Sequence, residues 1–194
     1  MEWIAWIWII TVCALFALPA LVSLYPRSKR KTYLGLRNLI LQGSRKKFRI
    51  GPASKPTQPY GVLMDWGIGS GWRTIKTTVV ALADGTASVY ISRGGGFLGG
   101  GEFPGPIRDA AKKTVEIADE VQPLMQITTK FPLARRGEVI FYLLTDTGIF
   151  TASASEADLT TQRSPLFRLN DAAQGIITEY RLFRQASQSR ATRL

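Results

Sequence analysis

From Trp3 to Tyr25 the chain runs 23 residues without a charged side chain: Trp3-Ile-Ala-Trp-Ile-Trp-Ile-Ile-Thr-Val-Cys-Ala-Leu-Phe-Ala-Leu-Pro-Ala-Leu-Val-Ser-Leu-Tyr25. As a helix rising about 1.5 Å per residue it spans about 34 Å, enough to cross a hydrocarbon core of about 30 Å with some tilt. Ten basic residues follow before the first acidic one after the run, Asp65: Arg27, Lys29, Arg30, Lys31, Arg37, Arg45, Lys46, Lys47, Arg49 and Lys55. The whole chain holds 25 Lys and Arg against 14 Asp and Glu, so outside this block the balance is 15 to 14. The net charge of +11 therefore belongs to the stretch behind the apolar run. Such clustering points to the positive-inside rule and to anionic headgroups, ahead of nucleic acid.

The run is expected to be an anchor and not a removable signal. Its n-region is only Met1-Glu2, it exceeds the ordinary 7–15 residues of a signal core, and Leu18-Pro19-Ala20 is a poor cleavage site. The charge step then predicts an N-terminus outside and a domain in the cytoplasm. Trp3 and Trp6 are placed at the outer interface and Tyr25 at the inner one. Trp8, about 140° around the helix from Trp3 and roughly 7 Å deeper, faces lipid, a second membrane helix or a pigment. Trp3, Trp6 and Trp8 are expected partner contacts in the membrane. Arg27, Lys29, Arg30, Lys31, Arg45, Lys46, Lys47 and Arg49 are expected contacts with the membrane surface.

The remainder divides into a basic juxtamembrane connector over 26–59, a cytoplasmic domain over 60–186 and a basic tail over 187–194. Within the connector, Leu36, Leu39 and Ile40 have helical spacing, which suits a helix on the membrane surface or one packed on the domain. Gly43 to Pro59 reads as an extended linker. Strands are predicted at Tyr60–Trp66, Thr74–Ala83, Thr86–Ser92, Met125–Lys130, Glu138–Thr145 and Ile149–Ala154. Asp84-Gly85 suggests a two-residue hairpin turn, and the almost continuously apolar Glu138–Thr145 suggests a central strand. Apolar residues recur with helical period from Ile107 to Val121, which Pro123 stops. A second amphipathic helix starts at Ser164-Pro165 and runs to about Gln185, burying Leu169, Ala172, Ala173, Ile176, Tyr180 and Phe183. The expected fold is therefore α+β: a single transmembrane helix, then a mainly antiparallel sheet of 5–6 strands with two amphipathic helices.

The order β-β-β-α-β-β-β-α resembles that of the roadblock/longin group of profilin-like domains, over roughly 60–185. The resemblance implies a small sheet carrying helices and a role in dimerisation and scaffolding. No family motif is matched, so no residue role is carried over.

Histidine is absent, which removes Ser-His-Asp and Cys-His catalysis and imidazole metal ligands. The one cysteine, Cys13, lies in the apolar run, so disulfides, structural zinc and thiol chemistry are not expected in the domain. Asp65, Asp84, Glu102, Asp146 and Asp158 are read as falling at strand ends and turns, where Asp serves turn geometry. No catalytic, cofactor-binding or metal-ligating residue is expected.

Two glycine-rich stretches stand out. Arg93-Gly-Gly-Gly-Phe-Leu-Gly-Gly-Gly-Glu-Phe-Pro-Gly105 lacks the Gly-Lys-Ser/Thr ending of a P-loop, and Pro104 and the following Pro106 remove two amides a phosphate would use. It reads as a pliable loop presenting Phe97 and Leu98 to a partner. Trp66-Gly-Ile-Gly-Ser-Gly-Trp72 reads as a turn with aromatic packing at a sheet edge. Two functional classes follow. One is a non-enzymatic accessory subunit of a larger integral-membrane complex, photosynthetic or respiratory among the hosts. The other is a membrane-tethered sensor or regulator binding a small ligand or a GTPase-like partner. Expected partners are integral-membrane subunits and anionic lipids, with a second copy of the chain a further candidate.

Overall fold

The strand residues make one seven-stranded antiparallel sheet in a computed structural model that describes residues 29–69, 74–99 and 105–191. A helix over 29–41 (α1) leads into β1 (Gly61–Ile68), β2 (Ile75–Leu82), β3 (Ala87–Ile91) and the two-residue β4 (Gly96–Phe97). Helix α2 (Gly105–Val121), a 3-10 turn (Gln122–Leu124), β5 (Gln126–Thr128), β6 (Glu138–Thr145), β7 (Gly148–Ser155), α3 (Glu156–Thr160) and α4 (Phe167–Ala191) follow. The strand order is β4-β3-β2-β1-β6-β7-β5. The α+β class and antiparallel pairing match the sequence pattern. The strand beyond the expected six is β4, hidden among glycines that have no β signature of their own.

Side chains alternate across a strand, so one strand can feed two cores. Val62 and Met64 of β1 and Val139, Phe141 and Leu143 of β6 face α2 and α4. Leu63 of β1 and Ile140, Tyr142 and Leu144 of β6 face the opposite side. This double burial explains the unbroken apolar run of β6, which lies inside the sheet. Helix α2 buries Ile107, Ala111, Thr114, Val115, Ile117, Ala118 and Val121. Helix α4 buries Leu169, Ala173, Ile176 and Tyr180, but Phe183, expected to be buried, is 39% exposed. Its first regular turn begins at Phe167, with Ser164 Oγ accepting the Leu166 N–H (3.2 Å), and it continues six residues beyond the expected end.

The second face is where the sequence says least. Tyr33, Ile40 and Leu41 of α1 are buried on it beside Leu63, Val80, Tyr142 and Leu144, and each such side chain is worth about 1.5–3 kcal/mol when fully buried. Helix α1 is thus a layer of the domain. Residues 43–59, which read as an extended linker, form no regular element but are fastened down. Phe48 and Ile50 pack on the same core, and Tyr60 Oη donates to Gly43 O (3.0 Å). Arg45 pairs with Asp146 (2.7 Å), and Lys55 with Asp119 (3.0 Å).

The β2–β3 connection also differs from the two-residue turn suggested by Asp84-Gly85. It has three residues, Ala83-Asp84-Gly85, closed by Gly85 N–H donating to Leu82 O (2.9 Å) and Leu82 N–H to Thr86 O (2.8 Å). Gly85 takes φ +92° after a turn at Ala83-Asp84, the form three-residue hairpins favour. Asp84 Oδ1 accepts the Thr86 N–H (2.8 Å), so here the turn reading of the aspartate holds.

Candidate functional site

Asp65 is not a turn residue. It sits in the middle of β1, opposite Thr78 and Ile140, and is 1% exposed. Arg37, 28 positions earlier on α1, is 2% exposed and reaches it with Nε at 2.7 Å and a terminal guanidinium nitrogen at 2.6 Å. Thr78 Oγ1 donates to the other carboxylate oxygen (2.5 Å). With that proton spent, Thr78 accepts from Tyr33 Oη (2.8 Å). Arg37 also donates to Pro132 O (3.1 Å) and lies 5.4 Å from the centre of the Tyr142 ring, whose hydroxyl donates to the same carbonyl (2.7 Å). Lys76 Nζ donates to Ala134 O. Burial pushes the Asp65 carboxyl above the usual carboxylate range, while Arg37 and Thr78 pull it back down. Burial also carries Tyr33 and Tyr142 up to about 12. The network ties these side chains to one another and to the carbonyls of Pro132 and Ala134. It is a clasp between α1 and the sheet.

The clasp decides where the basic residues point. Lys29, Arg30 and Lys31 are exposed on the first turns of α1, and Leu39 is 47% exposed on the same helix. A helical turn over 45–49 follows. Ile50 N–H donates to Arg45 O and Arg49 N–H to Lys46 O (both 3.1 Å), with Arg49 at φ +56°, the pattern that closes a helix end. Lys46, Lys47 and Arg49 are exposed there. Arg45 is turned inward. Besides Asp146, it donates to Gly51 O (3.0 Å) and Gln58 O (3.1 Å), and its guanidinium lies 5.0 Å from the centre of the Tyr60 ring. Of the basic block, Arg37, Arg45 and Lys55 thus have carboxylate partners within the domain. Arg27, Trp3, Trp6 and Trp8 lie outside the described residues.

The glycine-rich loop folds back further than its composition suggests. A tight turn brings Gly96 and Phe97 alongside β3 as β4. A Cβ at Gly96 would stand 2.0 Å from Val89 O, so only glycine allows this approach. The Phe97 ring stacks on Tyr180 of α4 at 4.2 Å and 8°, with the Arg184 guanidinium 5.9 Å from its centre. Tyr180 Oη in turn donates to Ala87 O (2.9 Å). Phe97 is therefore a packed side chain, whereas Leu98 is 65% exposed. The expected pair on a pliable stalk is split: Phe97 is half-buried against α4 and Leu98 is open to solvent. Residues 100–104, including Glu102, lie outside the described residues.

Between α1 and this β3–β4 hairpin is a groove of about 370 Å³ lined by Lys29, Thr32, Leu36, Tyr90, Phe97 and Leu98, among others. A second cleft, of about 230 Å³, lies among β1, α3 and α4. Trp66 Nε1 and Asn170 Oδ1, buried with no hydrogen-bond partner, both belong to residues lining it. Trp66 pairs with Thr77 and Val139 inside the sheet, away from the expected sheet edge, and Trp72 lies outside the described residues. At the far edge, β5 leaves Ile127 64% and the preceding Leu124 58% exposed.

Among the described residues, no group of three or more His, Cys, Asp or Glu could hold a metal ion, and no helix is long and apolar enough to cross a membrane. No family model, curated protein or solved structure matches the chain.

Proposed function

We propose that this chain is a non-enzymatic, membrane-anchored accessory subunit whose domain lies against the cytoplasmic leaflet and docks on a larger integral-membrane complex. The observation that supports this most is the Arg37–Asp65 clasp. It fixes to the sheet a helix whose described part starts four residues after the apolar run ends at Tyr25. A domain joined so closely to an anchor is held at the bilayer, and its outward α1 layer offers Lys29, Arg30, Lys31 and Leu39 to it. Integral-membrane partners are then met by the apolar run, with Trp3, Trp6 and Trp8, and by Leu98 on the hairpin beside α1. Close packing between particular helices, not lipid avoidance, would drive that association.

Purification of the tagged full chain in mild detergent tests this reading. Stoichiometric integral-membrane partners should be recovered; recovery of the chain alone would contradict it. Leu98→Ser should weaken docking by about 1.5–3 kcal/mol while leaving domain stability within about 0.5 kcal/mol. Phe97→Ser should instead destabilise the domain, because it removes the stack on Tyr180. A second reading, a tethered sensor with a roadblock-like domain, is favoured by the orphaned donor of Trp66 and acceptor of Asn170 beside one cleft. A substoichiometric soluble partner or a co-purifying small molecule would support it.

A further inference from the structure

We propose that the groove between α1 and the β3–β4 hairpin takes one acyl chain of an anionic phospholipid drawn from the bilayer. The proposal rests on the anchored reading above and names the ligand of that membrane-facing side. Four observations support it.

The first is position. At an extended reach of about 3.3–3.6 Å per residue, the four steps from Tyr25 to Lys29 span at most roughly 14 Å. A headgroup layer is roughly 6–7 Å deep on each side of the hydrocarbon. Lys29, which lines the groove, is thus held in or just above the headgroups. The second is lining. The groove is lined by Leu36, Leu98, Tyr33 and Tyr90, and by the strand residues Val89 and Phe97, whose side chains pack into the core on the opposite face of the sheet. The hydroxyl of Tyr33 is bound to Thr78. Among the described residues, no buried polar side-chain atom of the lining lacks a partner, so nothing there calls for a polar ligand. The volume, about 370 Å³, falls within the ~300–1,000 Å³ of small-molecule sites.

The third is charge. Lys29 is at the wall, Arg30 and Lys31 are exposed beside it, and Arg93 is exposed in the hairpin that forms the opposite wall. Basic side chains around an apolar groove complement a phosphodiester headgroup on an acyl chain. The fourth is the exposure of Leu98, a large apolar side chain left 65% open at the rim. In water such a residue is tolerated singly, but beside an apolar groove at a membrane it extends the surface a chain can cover.

The test uses the full chain reconstituted in bilayers of phosphatidylcholine and phosphatidylglycerol, doped with a phospholipid carrying a diazirine at the end of one acyl chain. After photolysis, adducts are mapped on peptides. Adducts are expected on 32–36 and 89–98 as well as on 3–25. Those on the groove should be about five-fold stronger with a phosphatidylglycerol probe than with a phosphatidylcholine one. Thr32→Trp, which puts an indole on an exposed helix position at the groove, should remove most of the 89–98 adducts while those on 3–25 persist. Leu36→Trp is the second plug, and hydrogen exchange of the sheet shows that each variant is folded. Adducts confined to 3–25 would overturn the groove assignment and leave the anchor standing. Equal labelling by both probes would overturn the anionic preference. Absence of adducts on 3–25 would overturn the anchor itself.

Discussion

Arg37 carries a permanent charge to a place that is 2% exposed, and desolvating it is costly unless every donor finds an acceptor. Asp65 accepts from Nε and Pro132 O from one terminal nitrogen, and Thr78 and Tyr33 complete the chain. Removing one partner should therefore cost far more than removing both. Arg37→Met alone is expected to destabilise the domain by about 3–5 kcal/mol, and Arg37→Met with Asp65→Leu by clearly less than the sum of the two single changes. Urea unfolding of the full chain in detergent, followed by near-ultraviolet circular dichroism, measures both. A pH dependence follows from the buried hydroxyls. Desolvation holds Tyr33, Tyr142 and Tyr180 near 12, above their ordinary value of 10. A group raised on folding keeps its proton while the unfolded chain gives it up. Stability should then be full below pH 10 and fall between about pH 10 and 12, with tyrosinate absorbance lagging in the folded protein. None of this was visible in the sequence. Arg37 looked like one more member of a basic block and Asp65 like a strand-end aspartate, because pairing across 28 residues leaves no local pattern.

At the scale of elements, period was legible and placement was not. The alternation and β-branched content of β1, β2, β3 and β7, the helical period of α2 and the continuous apolarity of β6 all mark their elements in the sequence. Helix α1 has the same kind of pattern in Leu36 and Ile40, but periodicity does not say which surface an apolar stripe meets. The membrane and the sheet are equally apolar answers. The buried clasp selects the sheet. Amides of α1 should accordingly exchange with deuterium only through global unfolding, as slowly as those of β1 and β6. Exchange at the rate of a fraying terminus would show that α1 is loosely held. β4 was illegible for the opposite reason. Glycines imply freedom when read alone, yet here their missing side chains let a strand lie close against β3.

At the scale of the molecule, three layers are stacked: α2 and α4, the sheet, and α1 with residues 43–59. The sequence suggested a domain beginning at residue 60, because the basic and breaker-rich stretch before it resembles a tether. In the structure that stretch and α1 complete the second core, so the distance between the apolar run and folded protein shrinks to a few residues. The order of elements legible in the sequence accounts for the sheet with α2 and α4 on one face. It leaves the α1 layer and the groove beside it unaccounted for. What joins these layers to function is the proposed placement on the cytoplasmic side of a membrane. The most direct measurement of it is thiol labelling of the full chain in intact cells, with Cys13→Ser as background. The reporters are Glu2→Cys and Ser54→Cys, the latter at an exposed position of the 43–59 stretch. The anchored arrangement requires an impermeant maleimide to label position 2 in intact cells and position 54 only after lysis. Labelling of position 54 in intact cells, or recovery of the chain free of membranes, would contradict it.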